Sequence, residues 1–507
     1  MRRYFFLIIA LIFVQEFNAQ NIVDALRYSQ NGVFGTARYN SMSGAFGALG
    51  GDLSGMQLNP AGSAVFLNSS ASVSLSLFDK KNETNYFNNL NSTYNSDLNF
   101  NQAGAVFVFD NFNEESVWRK FTLGFNYELT NNFDNAHYSS GQSSKSIDSY
   151  FLGYAEGIPL NLLELQPGET ISSLYRFLGE NEGFAAQQAF LGYQSYIIDP
   201  VDFDNPNNTG YLSTIASGTF NQEFLNESTG YNAKFSVNVG AQINDNFYFG
   251  LNLNSHIIDY RESSIFYEVN NNEGSLVNEI GFRNNLAVIG DGFSAQLGII
   301  SRATDFFRFG LVYDTPTWYS IAEETTQQIS TIRDDGNQSI TESIRPNIIN
   351  VYEEYTLKTP GKFTGSVAYL FGKVGLISVD YSYKDYSNIE FRPTNVTAFA
   401  QENTKIENVL KGSSSIHIGG EYRYNALSFR GGYKYEESPY NDTNMMDDLT
   451  GYSIGLGYNF GSFKVDLAYM QTQQERLNQF YPNSAFGNAS IINATENLFT
   501  LTTNFTF

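Results

Sequence analysis

The stretch Ser462-Phe463-Lys464-Val465-Asp466-Leu467-Ala468-Tyr469-Met470 decides the fold. Phe463, Val465, Leu467 and Tyr469 alternate with Ser462, Lys464, Asp466 and Ala468. A strand built on that period has one apolar face and one polar face. The period recurs upstream, where Ile416, Ile418, Tyr422 and Tyr424 alternate with His417, Glu421 and Arg423. It recurs again where Leu427, Phe429, Tyr433 and Tyr435 alternate with Ser428, Arg430, Lys434 and Glu436. One such strand fits a soluble sandwich as well as a membrane wall, so the arrangement of many strands has to decide.

About fourteen segments of this kind run from 71–79 to 496–507, and the connections between them alternate in length. Short ones fall at 111–117, Asn244-Asp245, 302–304, Gly372, Asn425 and Phe460-Gly461. Long ones fall at 80–97, 133–228, 263–289, 321–361, 387–411, 437–448 and 476–495, the largest being 133–228. Short turns on one side and long loops on the other are the mark of an outer-membrane barrel, with the short side periplasmic. The last strand agrees: Phe499, Leu501, Phe505 and Phe507 share a face opposite Thr500, Thr502, Asn504 and Thr506. A terminal strand ending on Phe suits recognition by the barrel-assembly machinery. The expected fold is therefore all-β, an antiparallel transmembrane barrel of about 14 strands over residues 71–507, in the bacterial outer membrane.

Composition supports this and excludes other classes. Hydrophobic residues make up 42% of the 507 and aromatics 16%. Yet no apolar run beyond the N-terminus approaches the roughly 20 residues of a helical span. The net charge of −23 leaves no basic stripe for phosphates, so no nucleic-acid partner is expected. With no Cys, disulfides, thiolate metal sites, a Cys nucleophile and a lipoprotein anchor are all absent. Arg2 and Arg3 precede an apolar stretch at 5–14, which reads as a signal peptide over 1–19, cleaved after Ala19.

Residues 20–70 differ from the strand-forming remainder of the chain. A short helix is expected over 21–29, with Ile22, Ala25 and Leu26 on one face. Glycines then occur at 32, 35, 44, 47, 50, 51, 55 and 62. That density allows tight turns and close backbone approach while weakening regular structure. Such a segment folds poorly alone but can fill another structure, so it is expected to be a hatch inside the barrel. Its few charges and many glycines predict weak packing and an ability to shift.

The polar strand faces must then point inward, because Arg or Lys at mid-membrane costs about 2–4 kcal/mol. The expected lumen-facing set includes Lys234, Arg308, Asp380, Glu421, Arg423, Arg430, Lys464 and Asp466, lining a wet lumen or bracing wall and plug. His137, His256 and His417 lie in separate segments without metal-ligand spacing. Ala48-Leu49-Gly50-Gly51 lacks the Lys of a phosphate loop, and no Ser/His/Asp set is visible. Asp334-Asp335-Gly336 and Asp447-Asp448 read as solvated turns in outward loops. No catalytic residue, cofactor or metal is expected. Within 133–228, helices are expected at 171–178 and 184–191, as a lid or docking surface.

One further pattern lies in the glycine-rich segment: Gly44-Ala45-Phe46-Gly47-Ala48-Leu49-Gly50-Gly51-Asp52 followed by Asn59-Pro60-Ala61-Gly62. Over about 21–66 this resembles the hatch of the FadL/TodX family of outer-membrane transporters for hydrophobic compounds, in its Bacteroidota-type branch. The resemblance implies a fourteen-stranded barrel with a hatch carrying an Asn-Pro-Ala motif, matched by Asn59, Pro60 and Ala61. Pro60 restricts the backbone and Asn59 is a turn former, which suits a fixed point of the hatch. The chain departs from the family in placing its longest loop after the third strand and in its charged lumen. The function implied is passive uptake of hydrophobic small molecules such as long-chain fatty acids, with outer-membrane lipid and an apolar ligand as partners. The alternative is a non-transporting barrel that serves as a subunit of a larger outer-membrane assembly or secretion complex, with another outer-membrane protein as partner.

Overall fold

The computed structural model describes residues 21–507 apart from Glu114, Asp335, Asn337 and Asn483. The expected signal peptide lies outside the described residues, as does Asp335 of the outward turn. Fourteen antiparallel strands close into a barrel. They are β1 (Ser70–Tyr86), β2 (Asn89–Asp110), β3 in two pieces (Trp118–Asn132 and Asn135–Ser143) and β4 (Phe220–Ile243). Next come β5 (Phe247–Val269), β6 (Val277–Arg302) and β7 in two pieces (Phe307–Asp314 and Trp318–Asp334). β8 returns in short pieces from Ser339–Ile344 to Lys362–Leu370. The rest are β9 (Gly375–Asp385), β10 (Gly412–Tyr424), β11 (Leu427–Glu436), β12 (Leu449–Asn459), β13 (Phe463–Gln479) and β14 (Ala489–Thr506). β14 pairs with β1 from Ser70↔Thr506 to Asn85↔Ile491, which closes the sheet into a barrel.

The alternation seen in the sequence becomes an exposed apolar belt. Leu467, Leu501, Leu75 and Phe100 fall in one row across the closure. Phe499, Leu501 and Phe505 are about half exposed, whereas Thr500 and Thr502 between them are buried. A soluble fold would place these the other way round, so the outer surface is a lipid face. Aromatic rings crowd its short-turn end, with Trp118 stacked on Phe121 at 5.5 Å and Phe460 on Phe463 at 4.6 Å. That is the interfacial girdle of an outer-membrane barrel. The tight turns use residues that accept positive φ: Asn244 (51°), Gly372 (61°), Asn425 (53°) and Gly461 (99°).

Strands reach well beyond the membrane on the long-loop side, which corrects several expected loops; 263–289 keeps only 270–276 outside strands, and 321–361 is largely strand. Residues 80–97 form the continuous hairpin of β1 and β2, turning at Phe87-Asn88 with φ of 47° and 64°. The stretch 133–228 begins and ends in strand, leaving 144–219 as the true connection. That connection carries α4 (Asp148–Ala155), α5 (Ile171–Asn181) and α6 (Phe184–Gln194), with Thr170 closing a capping box on α5. Tyr150, Phe151, Tyr175, Phe190 and Leu191 of these helices pack on Phe224, Phe266 and Phe282 of the wall. The resulting cap covers the extracellular end. Replacing Leu467, which is 54% exposed on the lipid face, by Arg should cost about 2–4 kcal/mol. Urea titration of the barrel folded in lipid vesicles measures it, with Asp466→Asn as the inward-facing comparison.

Candidate functional site

The hatch is built from short capped helices. Asn21 caps α1 (Ile22–Ser29) through the N–H groups of Val23 and Asp24. Thr36 caps α2 (Ala37–Asn40), and Asp52 caps α3 (Leu53–Leu58). Asn59 caps the 3₁₀ turn Pro60–Val65, with Pro60 in its first turn. Burial pushes the Asp52 carboxyl up, and Arg38 pulls against that shift. From Ala37 to Ala64 the segment is almost wholly buried inside the barrel.

Its seat is a collar of wall glycines. A Cβ on Gly298 would overlap Asn59 Oδ1, and one on Gly250 would overlap the Pro60–Ala61 peptide. One on Gly310 would strike the Gly47 carbonyl, and one on Gly432 would come 2.5 Å from the Met42 carbonyl carbon. Gly124, Gly240, Gly419 and Gly455 continue the ring against Met56, Ser63, Met42 and Ser41. Hatch backbone lies directly on wall backbone, and side chains bind across the contact. Asn59 donates Nδ2 to the carbonyls of Gly47 (2.6 Å) and Ile299 (3.2 Å), while its Oδ1 accepts from Ala61 N. Asn252, Asn238 and Arg308 donate to Met56, Pro60 and Leu49 carbonyls, each at 3.0 Å. Asp380 accepts from Gly47 N at 2.9 Å.

The expected lumen residues therefore separate by role. Glu421 receives Arg38 of the hatch (2.9 Å), Arg430 (2.7 Å) and Arg423 (2.5 Å), and Arg430 also reaches Asp466 at 2.6 Å. Lys234 points at the Gln57 carbonyl, 3.5 Å away. Arg423 is exposed at the periplasmic rim end of β10, and Lys464 is exposed at the matching end of β13. The expectation of weak hatch packing is overturned over 37–66: the glycines there permit close approach, and the contact is dense with hydrogen bonds. Sequence reasoning passed over the wall glycines. Single glycines inside strand patterns are the signal that another backbone approaches.

The segment ahead of the collar, 21–35, is held differently. α1 lies high in the lumen, where Arg27 pairs with Asp24, sits 3.6 Å from Glu262 and covers the Tyr260 ring at 4.2 Å. Burial raises the Asp24 carboxyl, opposed by Arg27. Lys384 donates to the Ser29 carbonyl at 2.5 Å. Under the cap, this arm and the wall enclose a cavity of about 630 Å³, within the size of a small-molecule site. Its apolar part is made by Val33, Phe34, Phe78, Met470 and Leu498. Beside it lies a charged belt, with Lys80–Glu496 at 2.6 Å and Lys434–Glu436 at 3.1 Å. Lys384 and Arg476 also line the cavity; neither makes an ion pair within 4 Å among the described residues, although Glu496 acts on Arg476 from further away. His137 faces the same space with both ring nitrogens unpartnered.

The wall beside the arm is broken. β2 pairs with β3 only from Gln102↔Glu128 to Asp110↔Lys120. Above that, residues 89–101 have no ladder on the β3 side among the described residues. The outer piece of β3 turns inward instead, where Asn82 and Thr84 of β1 donate to the carbonyls of Ala136 (2.7 Å) and Tyr138 (2.6 Å). The hatch fills the base of the seam: Gly32 N donates to Thr130 O at 2.9 Å, and Asn101 Nδ2 donates to Gly35 O.

A closed fourteen-stranded barrel with an internal hatch, a cavity above it and a gap in its wall defines an outer-membrane β-barrel of the FadL fold. It is similar over its length to a solved FadL homologue of Pseudomonas aeruginosa, at 12% identity, with 94% of this chain and 100% of that one covered and a TM-score of 0.53. It is also similar to the toluene transporter TodX of P. putida, at 13% identity, 94% and 99% coverage and a TM-score of 0.50. No protein-family profile and no curated protein matches the sequence.

The collar makes a specific demand. Gly298→Ala should unseat Asn59 and cost about 1–3 kcal/mol through overpacking. Limited proteolysis should then cut the hatch, while the barrel stays folded on unheated gels. Gly365→Ala, whose Cβ meets nothing nearer than 4.0 Å, should leave the hatch protected.

Proposed function

We propose that the protein takes up hydrophobic small molecules passively across the outer membrane. The observation that carries this reading is the cavity of about 630 Å³ between hatch arm, wall and cap, with an apolar part beside a charged belt. An acyl chain fits against Phe34, Phe78 and Met470, and a carboxylate fits beside Lys384 and Arg476, which line the cavity without a close ion pair among the described residues. Long-chain fatty acids are therefore the favoured ligands. The similar solved structures include a toluene transporter, which agrees with an apolar cargo.

The route follows from which part of the hatch can move. The collar residues 37–66 are interlocked with the wall, whereas the arm at 21–35 borders both cavity and seam. The ligand displaces the arm and leaves through the wall at the seam. A second reading, a barrel that serves as an assembly subunit with a protein partner, is favoured by Val201, Phe203 and Leu212, exposed at 60–63% on the cap.

Expressed in cells that lack their own hydrophobic channel, the protein should restore uptake of a labelled long-chain fatty acid. Met470→Trp should cut that uptake several-fold by filling the cavity, with the yield of folded barrel unchanged. A disulfide between Ser63→Cys and Thr122→Cys, whose side-chain oxygens lie 2.9 Å apart, should leave uptake intact, because it locks only the collar. Loss of uptake on oxidation would mean that the collar moves. No uptake by the unmodified protein would leave the assembly reading.

A further inference from the structure

The inner face of the seam is polar along its length, and its lower end, at Leu98 and Phe100, reaches the apolar belt. Outward Asp79, Lys81 and Glu83 of β1 and Ser92 and Ser96 of β2 stand above it. On β2 the residues that face inward are Asn91, Thr93, Asn95, Asp97 and Asn99, placed opposite inward-facing β1 residues from Thr84 to Ser76. Single amide atoms around the break have no partner, namely Asn91 Nδ2, Asn99 Nδ2, Asn132 Nδ2 and the Oδ1 atoms of Asn82 and Asn101. Asn82, Asn91, Asn101 and Asn132 are bonded through their other amide atom to Ala136, Ser140, Gly35 and Asp134. Asn82, Asn101 and Asn132 are more than nine-tenths buried, as is His137 with its two free nitrogens. Buried polar atoms normally find partners, and leaving each unpaired costs about 1–3 kcal/mol. Their concentration on β1, β2 and both pieces of β3 marks a place that a hydrogen-bonding guest satisfies.

The charges there narrow the guest's chemistry. Asp97 on β2 and Asp134 at the bend of β3 lie close enough to act on one another electrostatically. Lys80, opposite Asn95 in the register, is neutralised by Glu496 at 2.6 Å. An anion in the seam meets these two carboxylates, and Arg476 of β13, a cation that acts on His137, stands on the cavity side rather than on the seam strands. A bare hydrocarbon would leave the amide atoms unsatisfied.

Resting on the proposed uptake function, we infer that the seam passes amphiphiles whose head group is uncharged and hydrogen-bonding, such as a hydroxyl or an amide. The head moves along the asparagine row while the tail lies in lipid beyond Phe100 and Tyr127, whose rings stack at 5.6 Å on the outer side. A carboxylate bound in the cavity leaves more slowly than a neutral head on the same chain.

The test uses intact cells carrying the full protein and three labelled twelve-carbon probes: monolauroylglycerol, dodecanoate and dodecane. Monolauroylglycerol should enter fastest. The double variant Asn95→Leu, Asn99→Leu should slow it by at least about fivefold, the worth of one hydrogen bond, and leave dodecane unchanged. The double variant Asp97→Asn, Asp134→Asn should speed dodecanoate selectively. Uptake of all three probes with no change in either variant, or an equal change for all three, overturns the inference while the uptake function stands. Failure of every probe to enter through the unmodified protein rejects the uptake reading itself. Heat-shift on gels confirms that each variant folds.

Discussion

Contact between two backbones with no Cβ between them governs this molecule. At Gly250, Gly298 and Gly310 the wall offers bare main chain, and the hatch lays its own main chain against it at Pro60, Asn59 and Gly47. The approach is close enough for Asn59 to bond a hatch carbonyl and a wall carbonyl with one amide group. Without glycine on the wall side the hatch would stand off by a side-chain diameter, and the donations from Asn238, Asn252 and Arg308 would be lost with it. The collar is thus a steric condition first and a hydrogen-bond network second. The Glu421 cluster then closes the periplasmic side, where a buried carboxylate is matched by three guanidinium groups from hatch and wall. Removing one partner of such a cluster leaves charge buried and unpaired, typically at a cost of about 3–5 kcal/mol.

The membrane-embedded half of the fold was legible because lipid enforces a strict period of two. Leu467 and Asp466 differ in position by one residue and in environment completely. Above the membrane that pressure ends. Asn89 to Phe100 alternates polar with both polar and apolar residues, so the upper half of β2 reads as a loop although it is strand. Its turn hid for a second reason: Phe87 occupies a positive-φ position that Asn or Gly normally takes. The cap helices were visible at 171–178 and 184–191 through their periodic apolar residues, and the structure extends them to Asn181 and Gln194.

Site residues divide along the same line. Inward charges could be assigned from alternation, but their partners could not, because Arg38 and Glu421 are far apart in sequence and meet only when the hatch is seated. In the sequence alone, the glycines of the hatch point to looseness. Glycine's lack of a side chain serves mobility in open space and intimacy in a packed one, and only the surroundings decide which. Here Gly47 lies against Gly310 and Gly62 against Gly50, so these positions are held against neighbouring backbone.

If the protein takes up ligand as proposed, the contrast between collar and seam accounts for a small plug that seals and still yields. At the collar the wall bonds Leu49, Met56, Asn59 and Pro60 together with Gly47 N, and displacement would break these bonds at once. At the seam the arm meets the wall edge through Gly32 N and Gly35 O, while single amide atoms on the neighbouring strands stay unsatisfied. Replacing the arm there exchanges few bonds and offers new ones to whatever takes its place. Local opening follows the weakest set of contacts rather than the shortest path through the barrel. On the proposed uptake reading, the yielding element is then the arm at the seam, and the periplasmic floor stays closed.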